Sequence, residues 1–333
     1  MINLKKVNVA IVGATGLVGQ TFLKVLEERQ FPINHLFLLA SSRSVGKKIE
    51  FAGKVYTVEE LTPDSFNKDI DIALFSAGGS VSKKYAPIAA AHGIRVVDNS
   101  SAWRMNDKIP LVVPEVNANV LTEDDYIIAN PNCSTIQCVV PLQVLHKAYQ
   151  IKRIVYSTYQ AVSGSGVKGL RDLESDIQGE RVSFYPHPIA YNCLPHIDDF
   201  LDNGYTKEEM KMVNETRKIL GDNNLKITAT TVRVPVRFGH SIAINVELEH
   251  PFELEEVVEK LRAAEGIVVV DDVANNEYPL ALCAEGKDEV FVGRIRRDFS
   301  VENGLNLWVV ADNIRKGAAT NTVQIAQQLL KYL

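Results

Sequence analysis

The run Asn130-Pro131-Asn132-Cys133-Ser134-Thr135 puts a thiol where a turn gives way to a helix. Asn-Pro-Asn suits turns and resists helix interiors. A strand-like stretch, Asp125 to Ala129, leads in, and a helix-like stretch from Ser134 to His146 leads out. Cys133 therefore falls at a helix mouth, where backbone N–H groups and the macrodipole favour a thiolate. A thiolate there could carry acyl-transfer chemistry. Cysteine is also among the most often buried residues, so the local setting alone leaves a packing role open.

Further along are side chains suited to work beside it. Gln160 sits within a buried-looking strand, where an amide needs partners. Arg233 is flanked by β-branched residues, and a buried guanidinium is expensive without an anion. His240 follows the turn after that strand, where a satisfied polar histidine is the plainer reading. Glu215 and Lys218 are three apart on a helix and share a face; a surface ion pair would explain them equally well. Arg104 follows a loop at a strand end, placed to hold phosphate or carboxylate unless it is an ordinary surface arginine. His187 and His196 lack a third ligand at sensible spacing, so no metal site is expected.

The elements that must position these groups begin with the apolar strand Val7 to Val12. Gly13-Ala-Thr-Gly16-Leu-Val-Gly19 follows directly, then an amphipathic stretch from Gln20 to Glu28. Strand, glycine turn and helix form the setting in which a pyrophosphate approaches backbone N–H groups, although a bare βα turn shares the pattern. The second strand, His35 to Ala40, ends in Ser41-Ser42-Arg43-Ser44 rather than the acid that holds a ribose 2′-hydroxyl. Hydroxyls and a guanidinium, with Lys47 near by, suit a 2′-phosphate, so NADP is expected. Further strands, Asp71 to Ser76 and Ile94 to Asp98, end at Ser76, Gly78, Gly79 and Ser100. This alternation predicts a Rossmann-type, doubly wound parallel sheet with its ligand at the C-terminal strand ends.

From Ile151 the strands lengthen: Ile151 to Val162, Lys226 to Val236, Ser241 to Leu248, Glu289 to Arg296 and Leu305 to Val310. They predict an α+β domain on a mixed sheet, and a final helix, 317–331, is expected to return to the nucleotide-binding domain. The expected division is 1–132 plus 312–333 for the first domain and 133–311 for the second. The 333 residues are ample for two domains, and the net charge of −5 lacks the basic blocks that nucleic acid or anionic membranes call for. No apolar run reaches transmembrane length. Cys133, Cys138, Cys193 and Cys283 form no CxxC pair, which fits reduced thiols in the cytoplasm.

Taken together, GATGLVG at 13–19, SSRS at 41–44, NPNCST at 130–135, QAVSGSG at 160–166, NETRK at 214–218, RVPVRFGHS at 233–241 and ADNIRKGAA at 311–319 resemble the aspartate-semialdehyde dehydrogenase family. The resemblance runs from end to end. It implies an NADP-dependent enzyme that converts L-4-aspartyl phosphate to L-aspartate 4-semialdehyde and phosphate, reversibly, for lysine, threonine, methionine and isoleucine biosynthesis. Under it, Cys133 forms a thioester, Gln160 orients the acyl group and His240 is the acid/base. Arg233 and Glu215 hold the substrate's carboxylate and ammonium, while Arg104, Lys218 and Asn132 bind phosphate. Gly13, Thr15, Gly16, Leu17, Val18, Ser76 and Gly78 approach the cofactor, Ser41, Ser42, Arg43 and Ser44 its 2′-phosphate, and Ser163, Gly164 and Asn313 its nicotinamide end. The family's habit is a homodimer or a dimer of dimers with the second sheet at the interface. A reductase of another acyl phosphate or acyl-CoA, a glyceraldehyde-3-phosphate dehydrogenase and a non-catalytic paralogue are the alternatives; Glu215 argues against an N-acetylated substrate, and the intact Cys133, Gln160 and His240 against the paralogue.

Overall fold

The computed structural model describes residues 5–180 and 183–333. These fall into two compact units: residues up to Pro131 together with Ala318–Leu333, and Asn132–Gly317.

The first unit is built on β1 (Val7–Val12), β2 (Ile33–Ala40), β3 (Lys48–Phe51), β4 (Lys54–Thr57), β5 (Glu59–Glu60), β6 (Ile72–Phe75), β7 (Arg95–Asp98) and β8 (Ile127–Ala129). Six of them form one sheet in the order β5-β2-β1-β6-β7-β8, and every pairing in it is parallel. Every residue of β1, β6 and β7 is buried, as expected of parallel strands covered on both faces. The strand order reverses between β1 and β6, and that is where an open α/β sheet forms its crevice. Gly13 stands at this point with φ +90°, and a Cβ on it would lie 2.3 Å from the Ser76 carbonyl oxygen.

Strands β3 and β4 form a hairpin outside this sheet, absent from the expectations above. Its turn residues, Ala52 and Gly53, both have positive φ, the geometry of a tight two-residue loop. The C-terminal helix, Asn321–Leu329, buries Val323, Ile325, Ala326 and Leu329 in the same core as Val9, Ile11 and Phe22. It begins later than expected because Arg315–Thr320 is wound as a π-helical turn.

The second unit carries β9 (Ile151–Gln160), β10 (Lys226–Arg233), β11 (His240–Leu248), β12 (Ile267–Val269), β13 (Val290–Asp298) and β14 (Gly304–Ala311). Their order is β10-β9-β11-β14-β13-β12, with antiparallel pairing in the middle and a parallel pair at each edge. A parallel Rossmann-type sheet and a mixed α+β sheet are thus both present. The helices Cys133–Tyr149 and Lys207–Leu220 belong to this unit and pack on one another. The expected domain limits lie one residue and six residues from the observed divisions.

Gly13→Ala should cost at least about 3 kcal/mol, from a left-handed φ plus a contact no Cβ can make. Urea unfolding measures it; a loss under about 1 kcal/mol would mean the β1–β6 crevice is not this tight.

Candidate active site

Cys133 is the first residue of its helix, and Asn132 is the N-cap: the Asn132 Oδ1 accepts from the N–H groups of Ser134 at 2.9 Å and Thr135 at 3.3 Å. The turn-to-helix change expected from Asn-Pro-Asn is therefore where the thiol sits. The Cys133 Sγ lies 3.2 Å from the His240 Nε2. His240 is fully buried at the start of β11, and the Ala161 backbone N–H donates to its Nδ1 at 2.9 Å. A backbone N–H can only donate, so Nδ1 carries no proton and the neutral ring holds its proton on Nε2. That proton points at sulfur, and an N–H···S contact favours the thiolate over the thiol.

Burial, and then the positive charge of Arg233, push the His240 pKa down to about 3 against a smaller opposing pull from Glu208. The ring is thus a neutral donor at ordinary pH. Gln137, on the second turn of the cysteine's helix, donates to the His240 carbonyl at 3.0 Å and ties β11 to that helix.

Around this pair the structure gathers most of the expected groups of the second unit. Arg233 is buried at the end of β10; its Nη1 donates to the Ala161 carbonyl at 2.7 Å, and among the described residues nothing accepts from its buried Nε. Its guanidinium stands over the Tyr185 ring at 5.9 Å, with Gly164 beside it. A buried cation with a spare donor calls for an anionic ligand. Ser163 and Asn313 hydrogen-bond to one another, and the Asn313 Oδ1 accepts from the Gly239 N–H at 3.0 Å, one residue before His240. Glu215 is buried rather than on the surface and accepts from the Asn132 backbone N–H at 2.6 Å. Lys218 is half-buried one turn further along that helix. Gln160 ends β9, accepting from the Thr158 hydroxyl at 3.0 Å and donating to Glu208 at 3.1 Å.

Glu208 was not among the expected residues. It is buried, and its Oε1 also accepts from the Asn132 Nδ2 at 2.9 Å. A signal existed: Glu208 precedes Glu215 by seven residues and so lies on the same helix face. Gly317 was likewise unforeseen, and a Cβ there would lie 2.9 Å from that of Cys133. Cys193 and Cys283 are exposed, whereas Cys138 is buried.

In the first unit, Gly13, Thr15, Gly16, Ser41, Ser42, Arg43 and Ser76 line a cleft of about 540 Å³ at the sheet's switch point. The close approach at Gly13 and the Arg43 guanidinium fit the pyrophosphate and the 2′-phosphate of a dinucleotide. Ser44 is hydrogen-bonded to Thr15 of the cleft lining, Leu17 opens the helix that starts there, and Val18 packs on the core. Gly78, with positive φ, precedes the helix Gly79–Ala91. Glu60 also lines the cleft and adds a carboxylate to it. Arg104 is buried, not superficial, and donates to the carbonyls of Asn130 at 2.9 Å and Asn99 at 2.8 Å.

The family model described as semialdehyde dehydrogenase, NAD binding domain, matches residues 8–123, and that described as semialdehyde dehydrogenase, dimerisation domain, matches 142–316. The aspartate-semialdehyde dehydrogenase of Aquifex aeolicus is 57% identical over 332 residues, covering 97% of this chain and 98% of that protein. The chain belongs to the aspartate-semialdehyde dehydrogenase family. The Bacillus subtilis aspartate-semialdehyde dehydrogenase is 48% identical, over 97% of each chain. The crystal structure of aspartate semialdehyde dehydrogenase II from Vibrio cholerae, complexed with ASA, is 48% identical with a TM-score of 0.93 over 98% of this chain and 99% of that one. A structure from Candida albicans with NADP is 25% identical with a TM-score of 0.78, over 99% and 100%. The resemblance drawn from seven motifs is thereby shown, and an aspartate-semialdehyde dehydrogenase is an oxidoreductase of amino-acid biosynthesis. Among the described residues, no helix is long and apolar enough to cross a membrane and no acidic, His or Cys cluster could hold a metal.

An unfolded histidine titrates near 6.5, so acid protonates the unfolded chain before it protonates His240 at about 3. The stability that this ring contributes is complete above pH 6.5 and is lost as pH falls toward 3. Between pH 7 and pH 5 the loss is about 2 kcal/mol, and His240→Gln, neutral throughout, should lack it. Urea midpoints at both pH values decide; equal slopes in wild type and variant would contradict a buried neutral imidazole.

Proposed function

We propose that this chain catalyses the NADPH-dependent reductive dephosphorylation of L-4-aspartyl phosphate to L-aspartate 4-semialdehyde, and its reverse with inorganic phosphate. The observation that carries the reading is the contact of Cys133 Sγ with a histidine whose proton is held on Nε2. The Cys133 thiolate attacks the acyl carbon of the substrate; a C–S bond forms, the C–O bond to phosphorus breaks, and phosphate leaves. NADPH, when bound, supplies the hydride. What then remains on Cys133 is a thiohemiacetal, which collapses to aldehyde as the sulfur departs with its electron pair. The His240 Nε2–H donates a hydrogen bond to the oxyanion form of that thiohemiacetal, from which the sulfur leaves, and Gln160 orients the acyl group.

Arg233 binds the α-carboxylate through donors its protein partners leave unused, supported by its buried Nε. Glu215 takes the α-ammonium. Arg104, Lys218 and Asn132 bind phosphate. Gly13, Thr15, Gly16, Leu17, Val18, Ser76 and Gly78 hold the dinucleotide, with Ser41, Ser42, Arg43 and Ser44 on its 2′-phosphate and Ser163, Gly164 and Asn313 at its nicotinamide. The working form is a cytoplasmic homodimer or dimer of dimers, a reading supported by the dimerisation-domain match.

Cys133→Ala should abolish NADPH formation from L-aspartate semialdehyde and phosphate, a loss of more than about 10³-fold, while NADPH binding stays measurable by fluorescence. A variant with most of its activity would remove the covalent route. Arg43→Asp should weaken NADPH by at least about tenfold and NADH by much less, since only NADPH carries the 2′-phosphate. Equal weakening of both would remove the case for NADP.

A further inference from the structure

Glu208 is a buried carboxylate whose bonds run to the two residues flanking the chemistry. Its Oε1 accepts from the Asn132 Nδ2 at 2.9 Å and from the Gln160 Nε2 at 3.1 Å. Its Oε2 accepts from the Lys211 Nζ at 3.0 Å, and Lys211 reaches on to Asp198 at 2.7 Å. Burial alone would raise the Glu208 pKa; the Lys211 charge and the two amides outweigh it and hold the pKa at about 2. Glu208 is therefore ionised and can only accept hydrogen bonds.

That restriction has a geometric consequence. An amide facing an acceptor-only group must present its NH2 and turn its oxygen away. Asn132 then aims Oδ1 at the Ser134 and Thr135 N–H groups and caps the helix that Cys133 opens. Gln160 aims Oε1 at the Thr158 hydroxyl. Were either amide turned over, its oxygen would face the carboxylate, acceptor against acceptor, and the Asn132 NH2 would also face the Ser134 and Thr135 N–H donors. We infer that Glu208 is a positioning residue, which fixes the amide orientations of Asn132 and Gln160 and so holds both groups in register with Cys133. The inference deepens the function proposed above and rests on it for the role of Gln160.

The neutral variant Glu208→Gln tests this. Its carboxamide can accept from both amides only by turning its own NH2 toward the Lys211 ammonium, so the arrangement breaks. We expect kcat for NADPH formation from L-aspartate semialdehyde to fall about a hundredfold, with KM within about threefold of wild type. The double variant Glu208→Gln with Lys211→Met removes the donor conflict and should recover at least about tenfold of that loss, a coupling that a role in stability alone would not put into kcat. Cys133 alkylation by iodoacetamide at pH 7, which needs no substrate, should slow at least about threefold in the single variant, through loss of the cap, and recover in the double. If wild type forms no NADPH from the semialdehyde, the functional reading fails and alkylation alone judges Glu208. A folded single variant with unchanged kcat, or with unchanged alkylation where that readout stands alone, overturns the inference. So does a double variant with no recovery, or the failure of both variants to fold.

Discussion

The hydrogen bond from the Ala161 N–H to the His240 Nδ1 is the constraint on which the rest of the site depends. It fixes which ring nitrogen carries the proton and therefore what the sulfur meets. Without it the imidazole could turn either nitrogen to Cys133, and the contact at 3.2 Å would lose its polarity. The bond exists because β9 and β11 pair antiparallel with Ser241 opposite Tyr159, which brings His240, the first residue of β11, beside the end of β9, where Ala161 follows. A shift by one residue would turn His240 to the other face of the sheet. The geometry of the Cys133–His240 contact is a consequence of strand register.

Around that bond the second unit places charge where nothing but its own polar groups can hold it. Arg233, Glu208 and Glu215 are all buried, each a costly choice unless its partners are paid in kind by hydrogen bonds. Glu208 and Glu215 meet Asn132 from one helix face, one at its side chain and one at its backbone N–H. Among the described residues, Arg233 has an acceptor on Nη1 but none on Nε. Both acids thus meet donors of the protein, while Arg233 keeps a buried donor with no acceptor among the described residues.

The first unit uses backbone instead. Its cleft depends on how closely the chain after β1 approaches the chain after β6, and Gly13 permits an approach that no side chain would. Glu60 lines the same cleft, so a carboxylate and the Arg43 guanidinium share it.

Much of this was legible in one dimension. Apolar runs and glycine spacing determined β1, its turn and the helix after it, because a parallel strand buried on both faces has to be apolar throughout. Asn-Pro-Asn determined that a helix starts at the cysteine, because those residues favour turns and caps over helix interiors. The π-helical turn at Arg315–Thr320 and the hairpin of β3 and β4 were not read, although the turn residues Ala52 and Gly53 announced the latter. The sequence also placed Glu208 and Glu215 on one helix face, but periodicity cannot say whether a charged face meets water or a buried amide. Only the tertiary structure decided that. Pairing β9 with β11 selected the tautomer of His240, and packing the Lys207–Leu220 helix on that of Cys133 turned Glu208 from a surface charge into a buried acceptor. Composition and spacing determine which groups a chain owns and which element bears them; the protonation state and orientation of each come from neighbours far away in the sequence.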